Sequence, residues 1–140
     1  MNDHTATILR WFELLNRGDS DGFVELFAKS PYIKNAADPE LSGPAAARTL
    51  VSDFFTRTSE RTFVVHGTAV GKTHSFAWWT ATLTFKAGGT VAGRILAEPF
   101  AVEIEGIDVF TFDQAGLIQT VHIIHQTTTV ALAAAQHAVA

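Results

Sequence analysis

Cysteine is absent from the chain, so neither a disulfide framework nor a thiolate nucleophile or thiolate metal site can be built, and cysteine usage says nothing about redox compartment. No uninterrupted apolar run is long enough to span a bilayer, and no membrane partner is expected. The net charge of -4 comes from scattered carboxylates rather than a block of one sign, which argues against nucleic acid as a partner. A glycine-rich phosphate loop and a Gly-x-Ser-x-Gly elbow are both missing, leaving nucleotide and serine-hydrolase readings without support. The opening Met1-Asn-Asp-His-Thr5 lacks the charged start and apolar stretch of a secretory signal, so the cytoplasm is the expected address. There are no internal repeats or linkers, and 140 residues suit one domain over 1–140 that buries roughly two thirds of its unfolded surface.

What the chain does have is apolar and aromatic. Hydrophobic residues make up 47% and charged ones 17%, too apolar for disorder. Eleven Phe and three Trp imply either a crowded core or a cavity lined by rings. Over 5–16, Ile8, Leu9, Trp11, Phe12, Leu14 and Leu15 recur at three- and four-residue intervals, which predicts an amphipathic helix ended by Gly18. Asp19 or Ser20 can cap a second short helix with Phe23, Val24, Leu26 and Phe27 inward, and Pro31 is expected to stop it. A short extended piece over 32–35 and a polar turn follow, and Ser42-Gly-Pro44 then starts a third helix over 45–58.

From there the period changes to that of strands. The segments 62–70, 74–86, 100–113 and 117–129 are rich in β-branched and aromatic residues, with a bend at Gly88-Gly89 and a tight hairpin at Asp113-Gln-Ala-Gly116. The expected fold is α+β: three N-terminal helices on a strongly curved antiparallel sheet that forms a cone around an apolar pocket. The alanine-rich end, 131–140, reads as a short helix or a frayed tail.

The run Ile107-Asp-Val-Phe-Thr-Phe-Asp-Gln-Ala-Gly-Leu-Ile-Gln-Thr120 closely resembles the last hairpin of bacterial ketosteroid isomerases, and Trp11-Phe-Glu-Leu-Leu-Asn-Arg-Gly-Asp19 resembles their first helix and turn. The resemblance covers most of the chain, excluding 86–101 and the tail. It places the protein in the nuclear transport factor 2-like group with SnoaL-like polyketide cyclases and limonene epoxide hydrolases, where a conical pocket and dimers are usual, and it implies a homodimer. It also implies a cofactor-independent isomerase, cyclase or dehydratase acting on a small hydrophobic carbonyl compound such as a steroid, terpenoid or polyketide. Fold does not fix function, so each position is carried over separately. The acid that hydrogen-bonds the enolate oxygen in the isomerases, the known case of a carboxyl held protonated by an apolar site, falls on Asp108. Their oxyanion-hole tyrosine falls on Trp11, whose indole can donate but not titrate. Their proton-shuttling aspartate falls on Asn35, which cannot act as a base; a shift of a few residues would let Asp38 serve. The 35–43 spacing also resembles limonene epoxide hydrolase, but Ile123 and Trp78-Trp79-Thr80 stand where that chemistry needs carboxylates and an arginine.

Strand alternation puts Asp108 on one face with Ile104, Gly106, Phe110 and Phe112, and across the hairpin with Val121, Ile123 and His125. His125 is the alternative base, with Asn35 and Trp11 orienting the substrate. Trp79, Ala81 and Leu83 should alternate inward, with Phe63, Val65, Phe54 or Phe55, and Leu15 completing the wall; Gly106 and Ala81 are expected to leave room beside Asp108. If the base has been lost, the same pocket describes a non-catalytic ligand-binding module. His122-Ile-Ile-His125 has a ligand-like spacing, yet on a strand its rings point to opposite faces, so no metal is expected. The segment 86–103 can serve as a lid, a subunit contact or a plain extension of two strands.

Overall fold

A computed structural model describes residues 4–140; the first three residues, on which the reading of the amino terminus partly rests, lie outside it. Helix α1, His4–Arg17, buries Ile8, Trp11, Phe12, Leu14 and Leu15 along one stripe, as the spacing predicts. Gly18 takes φ +68°, a conformation costly for any residue with a Cβ. Asp19 then caps α2, Ser20–Glu25, accepting from the Gly22 backbone N–H at 2.9 Å. This helix ends without help from Pro31. The proline lies inside strand β1, Phe27–Asn35, where pairing to the neighbouring strand skips from Phe27 to Tyr32 and its missing N–H breaks no ladder.

After the short β2, Leu41–Ser42, come α3, Ala46–Arg57, then β3, Thr58–Val70, and β4, Ser75–Phe85. A small hairpin of β5, Thr90–Val91, and β6, Arg94–Ile95, precedes β7, Phe100–Phe112, and β8, Ile118–His125; α4, Thr127–His137, closes the chain. The main sheet runs β2-β1-β8-β7-β4-β3. It is mixed rather than wholly antiparallel, because β1 pairs parallel with β8, Ile33 opposite Val121 and Asn35 opposite Ile123. That pairing joins strands some ninety residues apart, which local periodicity cannot reveal. The α+β class and curved sheet match expectation, with four helices in place of three.

Alternation along β4 is complete: Ser75, Ala77, Trp79, Ala81, Leu83 and Phe85 are buried and face the helices. Each large ring removed from water on this face stabilises the fold by roughly 1.5–3 kcal/mol. The last strand stops at His125 rather than running to 129, and the tail is neither frayed nor loose. Leu96 bridges Ala138, the Ala97 N–H donates to His137 O at 2.8 Å, and the Val139 N–H to Ile95 O at 2.8 Å. Segment 86–103 therefore folds back against α4. Its turn is Ala92-Gly93, both at positive φ, between paired Val91 and Arg94. Two successive left-handed residues make the turn that matches strand twist, whereas Gly88-Gly89 sits at the hairpin's base, where the Gly88 N–H donates to Leu96 O at 2.8 Å.

Gly106 lies opposite Trp79 on β4 and His125 on β8. A Cβ there would collide with the Trp79 indole and stand 2.7 Å from Ile124 O. The space over Gly106 is thus taken by the Trp79 ring, so the glycine makes room for the indole rather than for a ligand. Gly106→Ala should lower stability in urea unfolding by about 1–3 kcal/mol, and Trp79→Phe in the same background should recover part of the loss. A Gly106→Ala variant as stable as the parent would show that the indole does not need the glycine.

Candidate active site

The inner face of β7 carries one polar side chain into the apolar interior. Asp108 sits between Ala77 of β4 and Ile123 of β8 and is 2% exposed. Trp79, two residues along the facing strand, donates its indole N–H to Asp108 Oδ1 at 3.0 Å. Burial pushes the carboxyl from its ordinary 3.8 up to about 7, and the indole hydrogen bond pulls weakly the other way by favouring the charged form. Such a group is near the midpoint of its titration at neutral pH and can both donate and accept a proton.

Asp108 borders a cavity of about 160 Å³. From α1, Trp11 contributes an indole N–H that is buried without a hydrogen-bond partner among the described residues. Its ring is fixed by Phe23 at 4.6 Å and by the edge of Phe110 at 5.1 Å. From the end of β8 comes His125, half-buried, with Nδ1 buried and unpartnered. Burial lowers the imidazole pKa and the Asp38 carboxylate partly opposes it, so at neutral pH the ring is predominantly in its neutral, proton-accepting form. Asn35 ends β1. Ala36, at φ +49°, turns the chain there, held by its N–H on Ile123 O at 2.8 Å, and the Asp38 N–H donates to Asn35 O at 2.9 Å. The turn brings both Asn35 and Asp38 to the cavity.

A SnoaL-like domain model matches residues 8–121, 114 of the 140 positions. The chain belongs to the SnoaL-like family. Solved structures with this fold include a putative polyketide cyclase from Pseudomonas putida KT2440, 13% identical, with a TM-score of 0.83 over 99% of this chain and 100% of that one. The epoxide hydrolase/cyclase-like enzyme SalBIII, in pyran ring formation in the polyether salinomycin, is 21% identical with a TM-score of 0.71 over 90% and 92%. An epoxide hydrolase from M. tuberculosis resembling limonene epoxide hydrolase is 13% identical, TM-score 0.70 over 96% and 90%. None of the curated proteins matches this chain in sequence.

Of the residues predicted for the site, this SnoaL-like domain gathers Asp108, His125, Asn35, Trp11, Leu15, Phe54, Phe63, Trp79, Leu83, Ile104 and Ile123 around the cavity. Ala81, Gly106, Phe110 and Val121 share the inner face but are packed into the core instead. Val65 and Phe55 also stand off the cavity. The register of β3 shifts between Val65 and Gly67, and Phe55, a hundred degrees around α3 from Phe54, lies under the Arg61 guanidinium at 4.4 Å. His122 is exposed on the outer face, and among the described residues no three His, Asp or Glu side chains cluster as metal ligands. No helix among them is long and apolar enough to cross a membrane.

Several cavity residues escaped the sequence reading. Leu50 and Arg57 share a helical face with Phe54 at spacings of four and three, a signal that was available. Val91 and Ala92 of the hairpin and Thr127 and Val130 of α4 reach the cavity only through the docking of the tail.

The raised carboxyl pKa has a consequence for stability. In the folded state Asp108 holds its proton up to about 7, in the unfolded chain only to 3.8. Between those values the native state binds more protons, so this group's contribution falls as pH rises and levels off above about 7. The full change corresponds to roughly 4 kcal/mol. Asp108→Asn, which keeps the shape and an acceptor for Trp79, should therefore gain stability over the parent at pH 8, with the gain shrinking towards pH 4. Parallel chemical denaturation curves across that range check it; a gain independent of pH would place the carboxyl in water.

Proposed function

We propose that this protein is a cofactor-independent isomerase, cyclase or dehydratase that moves a proton next to the carbonyl of a small hydrophobic compound. The observation that carries this reading is Asp108, a carboxyl 2% exposed beside an apolar cavity and held near pH 7. In its acid form it donates to a carbonyl oxygen, and the unpartnered Trp11 indole N–H supplies a second donor, so two hydrogen bonds meet the charge that grows on that oxygen. Neutral His125 accepts the proton: the C–H bond beside the carbonyl breaks, its electron pair forms the enolate, and the proton returns at the same carbon or at a conjugated one. Asn35 orients the substrate. The volume narrows the class. A cavity of 150 Å³ in another protein holds benzene, so about 160 Å³ suits a monocyclic terpenoid or polyketide fragment better than a full steroid nucleus. The structural neighbours above, a putative polyketide cyclase and an epoxide hydrolase/cyclase-like enzyme, fit the same broad chemistry. The cytoplasm remains the proposed location.

A simple probe is deuterium exchange beside the carbonyl of cyclohexanone in D2O, followed by NMR. The protein should accelerate exchange, with a rate that declines through about pH 7 as Asp108 loses its proton. His125→Ala should reduce the rate by about 10²–10⁴, and Asp108→Asn should remove the decline near pH 7. A decline that persists in Asp108→Asn would rule out Asp108 as the donor. The competing reading, a binding module without turnover, is favoured by Asn35 standing where the isomerases carry their base; saturable cyclohexanone binding with no exchange would establish it.

We propose in addition that the protein forms a homodimer through the outer face of the sheet. Trp78, Ile107 and Ile124 lie side by side in register on β4, β7 and β8, and with Phe76 they are 42–48% exposed. A twofold copy would lay this apolar strip against itself. Sedimentation should give a dimer that Trp78→Glu converts to monomer; a monomeric parent at micromolar concentration would dismiss it.

A further inference from the structure

Arg57 brings to the cavity a charge that proton transfer on a carbonyl does not use. Among the described residues bordering the cavity, the ionisable groups are Asp38, Arg57, Asp108 and His125, and Arg57 carries the one permanent positive charge. It ends α3, whereas Asp108 and His125 come from β7 and β8. Among the described residues its guanidinium has one ionic partner, Asp53, at 3.1 Å through Nη2. That pair is made at the surface, since the Asp53 side chain is 61% exposed and that of Arg57 is 22%. The Arg57 Nε–H, by contrast, is buried with no hydrogen-bond partner.

A helix-ending arginine paired to an aspartate one turn earlier needs no burial, and such an exposed pair contributes little to stability. A buried, unmatched N–H is costly unless something meets it. The guanidinium fork offers parallel N–H donors that fit the two oxygens of a carboxylate. The cavity is otherwise walled by apolar rings, so a charge placed at its margin selects strongly between an anion and its neutral counterpart.

We infer that the ligand of this cavity is a carboxylic acid, an apolar ring bearing a carboxylate that pairs with Arg57. The inference rests on the carbonyl reading only in supplying the other end of that molecule, which meets Trp11 and Asp108. A product of this kind would leave the site with its acid group unchanged, because only the carbon skeleton beside the carbonyl reacts.

The test is binding without turnover. Trp11 and Trp79 border the cavity, so intrinsic fluorescence reports occupancy. Titration with cyclohexanecarboxylate and with its amide should show at least a tenfold preference for the acid. Arg57→Met should reduce that preference below threefold, and Arg57→Lys should keep part of it. Asp53→Asn, a surface change that frees the guanidinium, should increase it, and serves where the Met variant does not fold. Equal affinities in the parent, binding of neither compound, a preference unchanged in Arg57→Met, or one unchanged in Asp53→Asn would each overturn the inference. Asp108→Asn should retain the acid preference, and a parent that shows the preference but no proton exchange on cyclohexanone sinks the catalytic reading alone.

Discussion

The contact between the Trp79 indole N–H and the Asp108 carboxyl is where the fold and the candidate chemistry meet. An ionised carboxylate in so dry a place would be strongly disfavoured, and one neutral donor offsets only a small part of that cost. The compromise is a carboxyl that holds its proton to about pH 7. Everything around it serves this arrangement. Gly106 opposite Trp79 leaves room for the indole, Ala77 beside Asp108 keeps the neighbouring strand close, and the complete alternation of β4 keeps water out.

The remaining polar groups enter the cavity from separate elements: Trp11 from α1, Asn35 and Asp38 from the end of β1, Arg57 from α3 and His125 from the end of β8. Rigid scaffolding explains why such a set stays in place. Trp11 is locked among Phe23, Phe27 and Phe110, and the parallel pairing of β1 with β8 fixes Asn35 against Ile123. An unpartnered indole N–H and an unpartnered imidazole Nδ1 in the same space are donors and acceptors kept out of internal hydrogen bonds, a cost to folding that a polar ligand relieves.

The hairpin of β5 and β6 and helix α4 add their own residues to the cavity wall. The hairpin around Ala92-Gly93 and helix α4 hold each other through backbone bonds at Leu96, Ala97 and Val139, with His137 stacked on Phe100 at 5.2 Å. Val91 and Val130, contributed by these two pieces, are buried at the rim.

Local periodicity by itself determined the amphipathic stripe of α1, the strand faces and the inward direction of Asp108, because each depends on neighbours two to four positions away; it left the cap of α2 open between Asp19 and Ser20, which the structure gives to Asp19. The resemblance carried by 107–120 and 11–19 extended this to the family, and eleven of the residues predicted for the site do stand around the cavity. Tertiary structure alone decided the parallel seating of β1, the docking of the tail on 86–103 and the filling of the space beside Gly106 by Trp79. It also decided which of Phe54 and Phe55 faces the cavity. These are long-range packing choices, settled by which apolar surfaces can be covered together, and no window of neighbouring residues contains that information.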